Sequence, residues 1–154
     1  SGRATHYGTI IAPASLYAVG LIRKDSYLQK TALLAGVAAA DTAIVTVVLK
    51  GATSRLRPVD VPVSGDYTHT WFKSKGNHWL RGRGSFPSGH TIAAFSVATV
   101  FSRRYPRYRW LPYVAYGLAG VVGFSRVSLG RHFPSDVFMG AAMGYSISRF
   151  TVLR

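Results

Sequence analysis

The sequence predicts an all-α fold, a compact helical bundle carrying one long loop at about residues 59–86. Apolar residues recur at mixed three- and four-residue spacings over 8–22 and 27–56, with Ala and Leu abundant, which favours helix over strand. No segment sustains an alternating apolar and polar pattern. The chain has 154 residues, 48% of them hydrophobic, which suits one domain with one core, so 1–154 is read as a single unit.

The elements follow in order. After the two N-terminal helical segments, residues 59–86 bring Pro62, Gly65, Gly76, Gly82 and Gly84 together with His69, Trp71, Phe72, His78 and Trp79. That composition reads as a long surface excursion whose aromatic rings pack back onto the body. A helix is expected from about 89 to 102, then a basic turn rich in Arg and Tyr at 103–109, a helix near 111–124, and a last helix from about 134 to 149. Two stretches approach the length of a membrane span. Residues 84–102 contain Gly84, Pro87, Ser88, Gly89 and His90, and 31–49 has Asp41 at its middle, where a charge in lipid is costly. The apolar stretches are therefore read as buried core helices, the chain is expected to stay in solution without detergent, and Asp41 is expected to pair with a buried Arg or a backbone group.

Composition narrows the chemistry. Lys and Arg total 19 against five acids, a formal charge of +14, which predicts attraction to phosphates, nucleic acid or an anionic membrane surface. There is no Cys and no Glu; the carboxylates are Asp25, Asp41, Asp60, Asp66 and Asp136. Thiol catalysis is excluded, and five scattered acids are poorly suited to hold two metal ions. The expectation is a site with no metal and no cofactor, built on His, Ser, Lys and Arg.

Three segments carry such residues. Lys50 and Arg57 are seven apart, about 700° on a helix, so both would project from one face of a helix ended by Pro58 and could reach one anion. Solvated charges complementing a helix C-terminus are the plainer alternative. In Pro87-Ser88-Gly89-His90, Ser88 suits an N-cap and Gly89 allows close backbone approach, so the helix-start amides form an anion site and His90 can donate a proton there. In the third segment Ser125-Arg126 precedes His132 by a short loop, and Pro134 suits the first turn of the last helix. Asp136 could then accept a hydrogen bond from one imidazole nitrogen of His132 and leave the other bare as a nucleophile. Arg126 would offer a fork of donors to phosphate oxygens. A packed His132 and an Asp136 that only complements the helix dipole are the alternative.

Taken together, Lys50-x6-Arg57-Pro58, Pro87-Ser88-Gly89-His90 and Ser125-Arg126-x5-His132-x3-Asp136 resemble the three-part signature of the type 2 phosphatidic-acid phosphatase superfamily. Bacterial class A acid phosphatases and vanadium haloperoxidases belong to the same superfamily. The resemblance spans residues 50–136 with every signature position filled. It implies a metal-independent phosphatase in which Lys50, Arg57, Ser88, Gly89 and Arg126 hold phosphate, His132 attacks phosphorus, Asp136 orients it and His90 protonates the leaving group. Asp136→Asn is then expected to weaken phosphoenzyme formation without unfolding the chain. The expected substrate is a phosphomonoester or pyrophosphate, soluble or lipid, with vanadate as an inhibitor. A vanadate-dependent haloperoxidase and an integral-membrane lipid phosphatase are the alternatives, and nucleic acid is disfavoured as a partner. The 103–109 turn could meet anionic headgroups, and an exported or membrane-associated setting is favoured over the cytoplasm.

Overall fold

A computed structural model describes residues 14–15, 17–62, 65, 67–73 and 84–153, and among these there are helices and loops but no strand. Residues 17–22 are helical. The start of the expected 8–22 segment and the loop positions Gly76, His78, Trp79 and Gly82 lie outside the described residues.

Helix α1 runs Ser26–Thr53. It starts where Asp25 caps it, the carboxylate accepting from the amides of Tyr27 and Leu28 at 3.0 Å each. It stops at Ser54, which takes a left-handed conformation (φ 39°) and returns its N–H to the Lys50 carbonyl. Helix α2 (Gly89–Arg104), α3 (Leu111–Ser128) and α4 (Pro134–Ile147) follow, and α4 continues into a π-helical turn, Ser148–Val152. Pro112 and Pro134 occupy first-turn positions of α3 and α4, where a missing N–H breaks no helical bond. Helix α2 is the centre of the bundle and packs against α1, α3 and α4.

The packing faces are small and hydroxyl-bearing. Ala32, Ala35 and Ala38 of α1, Thr91, Ser96, Ala98 and Thr99 of α2, and Gly140 and Gly144 of α4 are buried. Their hydroxyls are satisfied inside the bundle: Thr99 donates to the Phe95 carbonyl at 2.7 Å, and Ser96 and Ser148 bond each other at 2.7 Å. Large apolar side chains point the other way. Leu33, Ile44 and Val48 on α1, Leu118, Val121 and Phe124 on α3, and Phe138 on α4 are 50–73% exposed. The expected buried core of apolar helices is therefore corrected in part: Ile92 and Val100 are fully buried, but the interior is otherwise mostly small and hydroxyl-bearing, and much of the bulky hydrocarbon of α1, α3 and α4 faces outward. Asp41 is corrected as well, being half-buried and without an ion pair among the described residues.

Close approach between α2 and α4 depends on Gly144, because a Cβ there would lie 2.3 Å from the Ile92 carbonyl oxygen. Backbone cannot yield as a flexible side chain does, so Gly144→Ala must push the helices apart. The expected loss is about 1–3 kcal/mol or more, read as a lowered thermal midpoint, whereas Gly36→Ala, with open space around it, should leave the midpoint near wild type.

Candidate active site

The site is assembled at the bundle end where α1 finishes and α2 and α4 begin. Beyond Ser54 the chain is extended. The Leu56 amide donates to the Thr70 carbonyl at 2.9 Å, the Phe72 amide to Thr53 at 3.0 Å, and the Ser85 amide to the Arg55 carbonyl at 2.8 Å. These bonds fold the described parts of the 59–86 loop back over residues 53–56. Trp71 packs on Phe86 of the same loop, ring centroids 5.2 Å apart, and reaches the body through the Arg55 guanidinium, while Phe72 and His69 are exposed.

Lys50 lies in the last turn of α1, but Arg57 does not share its helix. Arg57 is extended (φ −80°, ψ 153°), ahead of a 3-10 turn at Pro58–Asp60. The predicted common helical face is thus corrected: the left-handed turn at Ser54 reverses the chain and brings the two cations into one electrostatic neighbourhood. The Nε of Arg57 is buried and has no hydrogen-bond partner among the described residues, which leaves a donor for an anion.

Gly84 and Gly89 bring the second segment against α1. A Cβ on Gly84 would lie 3.1 Å from the Lys50 carbonyl oxygen, and one on Gly89 would lie 3.0 Å from Thr46 Cγ2. Ser88 is the N-cap residue of α2, as its position predicts, yet its hydroxyl does not cap the helix. It accepts instead from Thr91 Oγ1 at 2.8 Å. The first-turn amides of α2 are therefore not capped by Ser88, which suits an anion site that also carries His90.

His132 lies in the short connection between α3 and α4 and is 5% exposed. Its Nδ1 is 2.6 Å from the backbone carbonyl oxygen of Ser85. A carbonyl only accepts, so Nδ1 carries the hydrogen and Nε2 is left bare. Burial first, and then the Lys50 charge, push the ring's pKa from its ordinary 6.5 to about 3; the Ser85 bond opposes this, and Arg57 and His90 add to it. The ring is neutral at any ordinary pH, which is the form a nucleophile requires.

Asp136 is in the first turn of α4 and fully buried, but its partner is not the His132 ring. Its carboxylate pairs with Arg55, accepts from the Ser85 hydroxyl, and accepts from the Phe133 amide at 3.0 Å. The expected direct Asp-to-His hydrogen bond is corrected to a contact through Ser85, whose hydroxyl meets Asp136 while its carbonyl meets His132. Arg55 is itself enclosed. Its guanidinium lies 4.4 Å from the Trp71 ring and 4.2 Å from the Phe133 ring, and it donates to Thr70 Oγ1 at 3.2 Å and Ser135 Oγ at 3.1 Å.

Arg126 belongs to the last turn of α3, which continues to Ser128 rather than ending near 124. Its Nε donates to the neighbouring Ser125 hydroxyl at 3.2 Å. The charges acting on His132 come from Lys50, Arg57 and His90.

Two residues of this cluster, Arg55 and Ser85, were not singled out in the sequence. A signal for Arg55 existed, since a buried first-turn Asp needs a cation and Arg55 sits two residues from a candidate phosphate ligand. Ser85 had none, because its backbone carbonyl is half of its contribution.

Comparison with known proteins matches residues 30–154 to the model of the PAP2 superfamily. The lipid A 1-phosphatase of Rhizobium etli is 34% identical over 106 residues, 68% of this chain and 42% of that protein. The lipid A 1-phosphatase of Porphyromonas gingivalis is 46% identical over 61 residues, 39% of this chain and 14% of its own length. The undecaprenyl-diphosphatase BcrC of Bacillus subtilis is 36% identical over 73 residues, 45% of this chain and 36% of that one. This chain thus spans less than half the length of each of these relatives, and no solved structure matches it. With the family model covering most of its length, the chain belongs to the PAP2 superfamily.

Proposed function

We propose that this chain is the catalytic region of a membrane-embedded, metal-independent phosphatase that removes a terminal phosphate from a lipid phosphate or diphosphate through a phosphohistidine on His132. The observation that carries the chemistry is a buried, neutral imidazole with Nδ1 committed to Ser85 and Nε2 bare, held among Lys50, Arg57 and His90. In the first displacement Nε2 bonds to phosphorus as the bond to the leaving oxygen breaks, and His90 gives that oxygen its proton. Neutral His90 then takes a proton from water, the resulting hydroxide bonds to phosphorus, and the bond to Nε2 breaks. Lys50, Arg57, Arg126, the Ser88 hydroxyl and the Gly89 amide are assigned to the equatorial phosphate oxygens, whose charge they stabilise without a metal ion; the Ser88 amide is taken by the Asp136 carbonyl at 3.2 Å.

The membrane setting rests on the inverted packing. In water, the exposed Leu, Val and Phe side chains of α1, α3 and α4 would leave bulky hydrocarbon against solvent on three helices, at a hydrophobic cost. In lipid, the same surface is solvated, and small and hydroxyl-bearing residues between helices supply the packing. Helix α1, 28 residues and about 42 Å long, is long enough to cross a bilayer. The relatives named for lipid A and undecaprenyl diphosphate point to the same class of substrate.

The test is hydrolysis by the detergent-solubilised chain of soluble and lipid phosphomonoesters and diphosphates, with and without EDTA. Lipid phosphates should be hydrolysed in EDTA, and vanadate should inhibit because its trigonal-bipyramidal adduct resembles the transition state. Loss of activity on chelation, restored by a divalent ion, would overturn the mechanism. Sedimentation of the chain as a monodisperse monomer without detergent would overturn the membrane setting. Halide oxidation with peroxide and vanadate would instead favour the haloperoxidase alternative.

A further inference from the structure

An apolar groove runs along the outside of the bundle between α3 and α4, with Phe95 of α2 at its base. Gly120, Gly123, Phe124 and Val127 form one wall, and Val137 and Phe138 belong to the other. Its upper end lies at the catalytic end of the bundle: Val127 follows Arg126 directly, and Pro134, also in the lining, is two residues from His132. The floor touches the phosphate segment as well. A Cβ on Gly123 would lie 3.5 Å from Thr91 Cγ2, and Thr91 is the residue whose hydroxyl bonds Ser88. Phe124 and Phe138 are 72% and 73% exposed along its open side.

From this arrangement we infer that the groove holds the hydrocarbon chain of the lipid substrate while its phosphate lies among the cations above. The inference rests on the proposed phosphatase reading and adds where the tail runs. An apolar groove whose lining ends at Val127 and Pro134, next in the chain to Arg126 and near His132, complements one kind of ligand, a phosphate carried on a long hydrocarbon. The channel follows α4 from Pro134 to Ala141, roughly 10 Å at 1.5 Å per residue, so it recognises the part of the chain nearest the headgroup. Gly120 is part of its lining. A Cβ there meets nothing within 4 Å, so a larger side chain would enter the groove without striking backbone.

The test uses hexadecyl phosphate and butyl phosphate, which share a headgroup, with the full chain in detergent micelles at fixed mole fraction. In Gly120→Leu the hexadecyl-to-butyl ratio of kcat/KM should fall by roughly tenfold to a hundredfold, the range by which apolar pockets discriminate chains. Gly36→Leu is the matched control on α1, also with open space at its Cβ, and should keep the wild-type ratio. An unchanged ratio in Gly120→Leu, or equal changes in both variants, would overturn the groove. Should Gly120→Leu fail to fold, wild type with hexadecyl phosphate bearing a mid-chain diazirine gives an independent reading. Labels on Phe124, Phe138 or Ala141 support the groove, and labels confined to other helices overturn it. Absence of turnover on either phosphate by wild type would count against the phosphatase reading, and the labelling pattern would still decide the groove.

Discussion

His132→Ala is expected to abolish phosphoenzyme formation and to reduce turnover on the order of 10⁴–10⁶-fold on every substrate, because attack on phosphorus is needed whatever leaves. His90→Ala should behave differently. A general acid contributes roughly 10²–10⁴-fold, and its help matters most when the departing alkoxide is basic. An aryl leaving group such as nitrophenolate departs without the proton, so His90→Ala should retain much more activity on nitrophenyl phosphate than on an alkyl phosphate. The check is kcat/KM for both substrates in both variants at one pH. Equal losses on both substrates in His90→Ala would reassign His90 to phosphate binding, and a phosphoenzyme trapped on His132→Ala would place the nucleophile elsewhere.

The same histidine gives a pH dependence with a definite sign. An imidazole of pKa 6.5 would be protonated at pH 5 and lose roughly 30-fold in its neutral fraction. His132, lowered to about 3 by burial and the Lys50 charge, should still be phosphorylated at pH 5 without that loss. Stability moves the other way. Below about 6.5 the unfolded chain binds a proton that the folded ring refuses, so His132 subtracts from stability as the pH falls from 6.5 toward 3 and has no effect above that window.

Asp136→Asn carries the second large effect, and it reaches both stability and catalysis. The carboxylate is fully buried against the Arg55 guanidinium, which is itself enclosed by Trp71 and Phe133. Removing one charge of such a pair leaves the other uncompensated, a loss of about 3–5 kcal/mol. Unfolding should therefore occur at a lower denaturant midpoint than wild type, which replaces the expectation that this substitution spares the fold. Arg55→Met should be comparably destabilised, while the double variant Arg55→Met with Asp136→Asn should be less destabilised than the sum of the two, since no charge is stranded. Catalysis should fall through Ser85. Its hydroxyl loses a charged acceptor, and its carbonyl no longer holds Nδ1 of His132 as firmly. Ser85→Ala isolates that path, with reduced kcat, little change in KM and an altered His132 tautomer ratio by ¹⁵N NMR. A normal tautomer ratio and kcat in Ser85→Ala would show that Asp136 acts only on stability.

The helix positions were legible because they depend on local chemistry. Ser88 and Pro134 mark helix starts through groups within four residues, and the observed helices α2 and α4 begin where they place them, whereas the Asp25 cap of α1 came only from the structure. The three candidate segments stood out for a related reason: Lys50, Arg57, Ser88, Gly89, His90, Arg126, His132 and Asp136 form a pattern of residue types at set spacings. Tertiary structure alone decided how those groups connect. Arg57 reaches Lys50 by a left-handed turn at Ser54 rather than along one helix face, and Asp136 reaches His132 through a residue 51 positions away in sequence. The direction of the apolar faces was also decided there. Low amphipathicity cannot tell a helix buried in protein from one facing lipid, because both are apolar on most sides. Only the packing of Ala, Ser, Thr and Gly against one another around α2 shows that the exposed hydrocarbon of α1, α3 and α4 points outward, the surface that the proposed membrane setting assigns to lipid.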